Sequence, residues 1–253
     1  MGSTAASVAD TVALVDEQLR AAGTQERAAK EAAYLKSSLR HYGVTVPEIR
    51  TVVRPVAKQV VDHDQLMQLV TMLWDEPRDE PVHERRFAAA VLLWQRLDLL
   101  SIADLGLIER LVREAETWAL VDTLVPHPVG AIVETDPDRA RPTLDRWAEN
   151  DNFWLRRAAL LAYLVALREG RGDWDQFAAY ADAMLTDSEF FVRKAIGWIL
   201  RDTARKRPEL VRDWLAPRTD RISGVAVREA VKKLDPTDRD RILAAYRRRE
   251  PVA

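Results

Sequence analysis

Two residue types stand out where chemistry is concerned: eight tryptophans, and one carboxylate set among apolar neighbours. Trp118 and Asp122 are four apart in Glu116-Thr117-Trp118-Ala119-Leu120-Val121-Asp122, so on a helix they share a face. Asp122 is surrounded in sequence by Ala119, Leu120, Val121, Leu124 and Val125. A carboxylate so placed is either a capping or ion-paired aspartate beside a core tryptophan, or a group kept for chemistry. Trp198, in Ala195-Ile196-Gly197-Trp198, reads by itself as core packing, and Arg157 as a solvated or interhelical salt-bridge arginine. The four histidines, His41, His63, His83 and His127, are dispersed. Asp62-His63-Asp64 has metal-binding residue types, but a third and fourth ligand are missing and the segment reads as a solvated helix start. There is no GxGxxG, Walker-type loop, HExxH or GxSxG, and nine glycines form no phosphate cradle. With no cysteine, disulfides, thiolate zinc sites and iron–sulfur clusters are excluded.

The elements that must position these residues read as helices. Alanine, leucine, arginine and glutamate dominate, and apolar residues recur at helical offsets in Phe153, Leu160, Leu161 and Leu164 and again in Phe190, Ile196, Ile199 and Leu200. Pro47, Pro81, Pro137 and Pro208 each precede an amphipathic stretch, as prolines at helix starts do. Pro126-His127-Pro128-Val129-Gly130 reads as a strong break and Gly170-Arg171-Gly172 as a turn; no alternating strand is evident. A repeat emerges on self-comparison. Phe153-Trp154-Leu155-Arg156-Arg157-Ala158 matches Phe190-Phe191-Val192-Arg193-Lys194-Ala195, Val227-Arg228-Glu229-Ala230 repeats its end, and Glu84-Arg85-Arg86-Phe87-Ala88 is a fainter echo. Offsets of 37 and 35 residues between the matching arginines mark helix pairs stacked in an α-solenoid. The expectation is an all-α, HEAT-like stack of antiparallel helix pairs with a concave basic face: an irregular N-terminus over 1–8, then one repeat domain over 9–250.

Net charge is −2, but it is unevenly spread. Residues 151–253 carry 21 Lys and Arg against 16 Asp and Glu, leaving 17 against 24 in residues 1–150. The asymmetry fits either a polyanion-facing surface or ordinary solvated helix faces. No apolar run approaches the roughly 20 residues of a membrane span, and the first residues lack the basic and apolar regions of a secretory signal. A monomeric, cytoplasmic protein with no membrane partner is expected.

At this point the residues resemble a family. Glu116–Gly130, Asn152–Leu164 and Glu189–Arg201 are similar to the three signature stretches of the AlkD-type DNA alkylation repair glycosylases. Those stretches carry a Trp and an Asp four apart, an Arg ahead of Ala-rich apolar residues after Asn-x-Trp-Leu, and Phe-Phe-x-x-Lys-Ala-Ile-Gly-Trp. This sequence supplies Trp118 and Asp122, then Arg157, then Phe190 through Trp198. Tyr34-Leu35-Lys36, Tyr42-Gly43-Val44, Pro47-Glu48-Ile49-Arg50 and His83-Glu84-Arg85-Arg86-Phe87 are similar too, so the resemblance covers about residues 25–235. The third stretch is long and specific, whereas Trp-x-x-x-Asp alone is weak. Pro126-His127-Pro128 departs from the pattern in being richer in proline.

The resemblance implies a concave face that binds double-stranded DNA containing alkylated bases. It implies that Trp118, Asp122 and Trp198 line the catalytic cleft and that Arg157, with Arg156, Arg193 and Lys194 as helpers, holds phosphates. It further implies a hydrolase that cleaves the N-glycosidic bond of N3- or N7-alkylated purines, with Asp122 stabilising the oxocarbenium-like sugar and positioning water. No metal and no organic cofactor is called for. No lysine beside the motif offers a Schiff-base nucleophile, which points to a monofunctional glycosylase. The rival reading is a non-catalytic HEAT-like scaffold that binds nucleic acid or protein, since a fold does not give a function. A helix-hairpin-helix glycosylase is disfavoured by the missing Gly-rich hairpin.

Overall fold

The computed structural model describes residues 7–248. The chain divides into two compact units, residues 1–128 and 129–253. The first contains α1 (Val8–Ala22), α2 (Gln25–Leu35), α3 (Val46–Gln59), α4 (His63–Asp75), α5 (His83–Gln95), α6 (Leu105–Arg113) and α7 (Trp118–Leu124). The second contains α8 (Gly130–Thr135), α9 (Pro137–Ala148), α10 (Phe153–Leu161), α11 (Leu164–Arg168), α12 (Trp174–Ala183), α13 (Phe190–Thr203), α14 (Pro208–Leu215), α15 (Gly224–Ala230) and α16 (Pro236–Arg248). Among the described residues there is no strand; one isolated bridge joins Arg40 to Val82. The all-α expectation holds. No helix among these residues is long and apolar enough to cross a membrane.

Local chemistry sets the helix starts. Ser7 with Asp10 and Thr45 with Glu48 form reciprocal capping boxes on α1 and α3. Asp62, Asn152, Asp173 and Ser223 cap α4, α10, α12 and α15 through their side chains. Pro47, Pro137 and Pro208 lie in the first turn of their helices, where no N–H is missed. Gly170 and Gly172 take positive φ, 82° and 74°, and make the expected turn. Of the segment expected to be irregular, 1–6 lie outside the described residues; Ser7 is already the cap of α1.

One expectation is corrected. Pro126-His127-Pro128-Val129 does not break the helical path: Val125–Val129 wind as a π-helical turn. A wider turn accommodates rings and absent N–H donors that a regular α-turn would not.

In the first unit α5 is the central element: every residue from His83 to Leu93 is buried, and α3, α4 and α7 pack against it. Its charged start is buried too, and each charge is used. Glu84 accepts from the backbone N–H groups of Tyr42, Gly43 and Val44 at 2.9, 2.6 and 3.2 Å. Arg85 pairs with Asp16 at 3.1 Å and donates to the carbonyls of Glu76 and Met72. Arg86 donates to the carbonyls of Glu114 and Trp74. Outside α5, Asp104, only 4% exposed, receives the His63 ring at 2.7 Å and so ties the start of α4 to Ser101–Asp104.

In the second unit α13 is central, packed by α10, α11 and α15. Gly197 permits the closest of these approaches. A Cβ there would meet the Ala226 carbonyl oxygen at 2.8 Å and the Ala226 Cα at 2.9 Å. Both are backbone atoms that cannot turn aside, so the sequence needs glycine inside this helix despite its low helix propensity.

Two outcomes follow from this packing. Gly197→Ala gains up to ~1 kcal/mol of helix propensity but overpacks against backbone, at a cost of ~1–3 kcal/mol. A net destabilisation of about 1–2 kcal/mol is expected in urea unfolding, and a stabilised variant would contradict the close approach. The second outcome concerns His63. Its hydrogen bond to Asp104 raises its pKa above the ordinary 6.5. The raised value means that the protonated ring is favoured in the folded state. The contribution is therefore complete below pH 6.5 and fades as pH climbs through the raised value. His63→Gln should flatten that decline when unfolding is measured across neutral pH; the same slope in both proteins would assign it elsewhere.

Candidate functional site

Trp118 and Asp122 stand on α7, a helix of seven residues. Leu120, Val121 and Leu124 face the core, while Trp118, Ala119, Asp122 and Thr123 are half-buried. The i, i+4 expectation is met: the tryptophan and the carboxylate share the partly open side of the helix. The ring of Tyr34, 74% exposed, meets Trp118 edge-on with centroids 6.0 Å apart.

A helix this short has little stability of its own, and Thr117 makes no side-chain cap. The turn ahead of α7 supplies what the helix lacks. Glu116 adopts φ 58°, a left-handed conformation that costs a non-glycine residue about 1 kcal/mol or more. Its carboxylate accepts from the Ser38 hydroxyl. Arg86 donates to the Glu114 carbonyl at 2.6 Å, and the Trp74 indole N–H to the Glu114 carboxylate at 2.8 Å. Arg110 joins Asp75 to Glu114 at 2.7 and 3.2 Å. Burial pulls the Arg86 guanidinium below its ordinary pKa, an effect opposed by the carboxylates of Glu114, Glu116 and Asp75. Beyond α7, His127 stacks on Trp94 at 4.4 Å, and the Arg50 guanidinium lies 4.5 Å from the Trp94 ring centre.

The second unit carries the remaining expected residues, and it brings several together. Asn152 caps α10 and starts an aromatic group in which Phe153, Trp154 and Phe191 lie with centroids 4.4 to 6.5 Å apart. Arg157 is 1% exposed. It donates to the Phe191 carbonyl at the start of α13, and its guanidinium lies 5.9 Å from the Phe191 ring centre and 6.0 Å from that of Trp198. Trp198 is half-buried. Its indole N–H donates to Asp202 at 3.1 Å, and Asp202 also receives Arg168 and Arg201 at 3.0 and 2.9 Å. The ring plane of Trp198 is thereby fixed from behind by a carboxylate that is itself 4% exposed.

The other cations differ in their freedom. Arg156 pairs with Asp187 at 2.7 Å and donates to the carbonyls of Asn150 and Asp151, so its fork is engaged on all sides. Arg193 is half-buried, with a buried Nε that makes no hydrogen bond. Lys194 is exposed, its ammonium 5.8 Å from the Phe190 ring centre; Phe190 is itself 46% exposed. Tyr34, Asp202 and the Arg86–Glu114 contact went unnoticed as site elements in the sequence. Of these, Arg86 carried a signal as part of the faint echo of Arg156-Arg157, and Asp202 carried another, standing four residues after Trp198. Among the described residues, one group of side chains converges closely enough for a metal, Glu31, His41 and Glu84, and it includes none of the expected site residues.

With this geometry in place, the comparisons with known proteins can be set beside it. A family model described as DNA alkylation repair enzyme matches residues 15–234. A solved structure described as a predicted DNA alkylation repair enzyme from Enterococcus faecalis is 25% identical, with a TM-score of 0.73 over 85% of this chain and 97% of that one. The fold is shared as well by smu.31 from Streptococcus mutans UA159, 18% identical, with a TM-score of 0.55 over 83% of this chain and 98% of that one. No curated protein matches the chain.

The burial of Arg157 has a measurable consequence. Arg157→Ala removes a fully buried guanidinium and leaves the Phe191 carbonyl without that donor. A loss of about 2–4 kcal/mol in chemical denaturation is expected. A variant as stable as the parent would show that the side chain is not holding the start of α13.

Proposed function

Starting from the premise that the chain belongs to the DNA alkylation repair enzyme family, we propose that it excises N3- or N7-alkylated purines by hydrolysing their N-glycosidic bond. One observation carries the reading: Trp118 and Asp122 share the half-open face of α7, on a helix whose start is tightly held. Alkylation at N3 or N7 makes the purine cationic and a better leaving group. Departure of the base builds positive charge on the deoxyribose. The Asp122 carboxylate stabilises that charge and orients the attacking water. At ~4 Å and an effective dielectric of about 20, one such contact is on the order of 4 kcal/mol. The indole face of Trp118 suits a cationic base and the C–H groups of the sugar, and Tyr34 extends that aromatic surface.

The second unit, taken by itself, offers aromatic and cationic groups suited to DNA. The exposed Lys194, with Arg193, meets phosphates of the duplex. Arg156 and Arg157, both engaged within the unit, give shape to that surface, and Trp198 presents its Asp202-anchored ring. The sequence around Trp118 and Asp122 holds no lysine to form a Schiff base, which favours an abasic product with the strand intact.

Asp122→Asn tests the assignment. The change is nearly isosteric, so the fold should hold, as circular dichroism would show. Removing a negative charge near phosphates cannot weaken electrostatic attraction, so DNA affinity should hold or rise. Single-turnover release of 7-methylguanine from duplex DNA should nevertheless fall by about 10- to 1,000-fold. A stable variant with parental excision removes Asp122 from the mechanism. No release by the parent protein overturns the glycosylase reading in favour of a scaffold.

A further inference from the structure

Glu31 on α2, His41 in the segment after it and Glu84 on α5 lie outside the residues of the candidate functional site. The geometry points to a divalent transition-metal site at these three side chains, suited to Zn²⁺. One donor atom from each lies within 4.8 Å of the others. Ligands bound at about 2.0–2.2 Å around a tetrahedral ion are about 3.4 Å apart, so small side-chain rotations close the set.

The state of these groups without an ion argues for the assignment. Both ring nitrogens of His41 and Oε2 of Glu31 are sealed from solvent, and none has a hydrogen-bond partner. Sealing three polar atoms without partners is costly, and an ion would satisfy two of them at once, one on His41 and one on Glu31. Glu84 differs in being fully buried and held by three backbone N–H groups. Such bonds fix a carboxylate in the way outer partners orient metal ligands. The His83 ring stacks on His41 at 4.5 Å and 14°, which sets the imidazole plane. Arg27, 3.8 Å from Glu31, is too distant to hydrogen-bond it. An opening lined by Arg27, Lys30, Glu31 and Tyr34 lies beside Glu31.

The donor set selects the class of ion. One imidazole with two carboxylates suits Zn²⁺ and its relatives Co²⁺ and Ni²⁺, whereas Mg²⁺ and Ca²⁺ favour all-oxygen shells. Three protein ligands leave a fourth position for water. The ion would tie α2, the segment carrying His41 and α5 to one point within the first unit. It has no part in the chemistry assigned to Asp122.

Chelator-treated protein titrated with Zn²⁺ by calorimetry, and with Co²⁺ by visible absorption, tests the site. One equivalent should bind. At a hundredfold excess over Kd, Zn²⁺ should raise Tm by about 5–10 °C. His41→Ala should weaken binding about 100-fold or more and Glu31→Gln at least about 10-fold, while His63→Ala binds as the parent does. Circular dichroism checks that each variant is folded, and Glu31→Gln keeps the test open should His41→Ala fail to fold. Absence of stoichiometric Zn²⁺ binding, as when Glu31 and His41 satisfy each other through a shared proton, overturns the proposal. Unchanged binding in the folded Glu31 and His41 variants, or its loss in His63→Ala, does so too. None of these readings depends on base excision.

Discussion

A buried arginine reaching a main-chain carbonyl in the next helical repeat is the interaction on which both groups of expected site residues rest. Arg86 on α5 donates to Glu114, 28 residues on, and stacks 4.9 Å from the Trp74 ring centre. Arg157 on α10 donates to Phe191, 34 residues on, with Phe191 and Trp198 as its ring partners. A guanidinium taken out of water is tolerable only where its donors are met, and breaking such a set is far more costly than forming it is rewarding. The partners are therefore held to one arrangement. In the first unit that arrangement fixes the turn that launches α7, and in the second the start of α13.

The arginine ahead of each of these behaves alike as well. Arg85 takes one aspartate, Asp16, and two carbonyls; Arg156 takes Asp187 and two carbonyls. The echo between Glu84-Arg85-Arg86 and Arg156-Arg157 is thus a repeat of function within the fold and not only of letters. Other bonds span the same interval. Tyr180 to Asp145 covers 35 residues, Arg110 to Asp75 covers 35, and Arg218 to Asp182 covers 36. Contacts of one-repeat range are what a chain of stacked helix pairs must make, because each pair can bury its apolar side only against its neighbour.

Much of the fold was legible because its determinants are local. Caps such as Thr45 and Asp62, first-turn prolines and the Gly170–Gly172 turn act within four residues of themselves, and amphipathic spacing does the rest. The π-helical turn at Val125–Val129 was not legible, since proline pairs are ordinarily read as an end. The charge asymmetry left two readings open. The second unit's surplus of basic residues fits a polyanion-facing surface or ordinary helix faces, and within it Arg156, Arg168, Arg201 and Arg218 are paired with Asp187, Asp202, Glu229 and Asp182. Sequence gives the number of charges but not which ones are already neutralised across a repeat. Of the candidate site, the Trp118–Asp122 face was readable from spacing alone. The Trp198–Asp202 pair has the same spacing on α13 and was passed over, whereas Tyr34 reaches Trp118 only through the way the unit folds.

The dependence of α7 on its surroundings bears on what kind of site it can be. Seven residues make fewer than two full turns, and such a helix is not stable in isolation. Its direction is set by a left-handed Glu116, a carbonyl bound by Arg86 and a carboxylate bound by Trp74. A binding scaffold gains little from constraining one short helix so heavily, since a flexible side chain can find a phosphate from many positions. A carboxylate that must meet charge as it develops on a sugar gains a great deal. An electrostatic contact of this kind helps only if its geometry is in place before the bond breaks, because reorganisation at that moment would consume the energy the contact supplies. The strain stored at Glu116 and the buried guanidinium behind it are thus reasonable costs for a catalytic carboxylate and unnecessary ones for a scaffold.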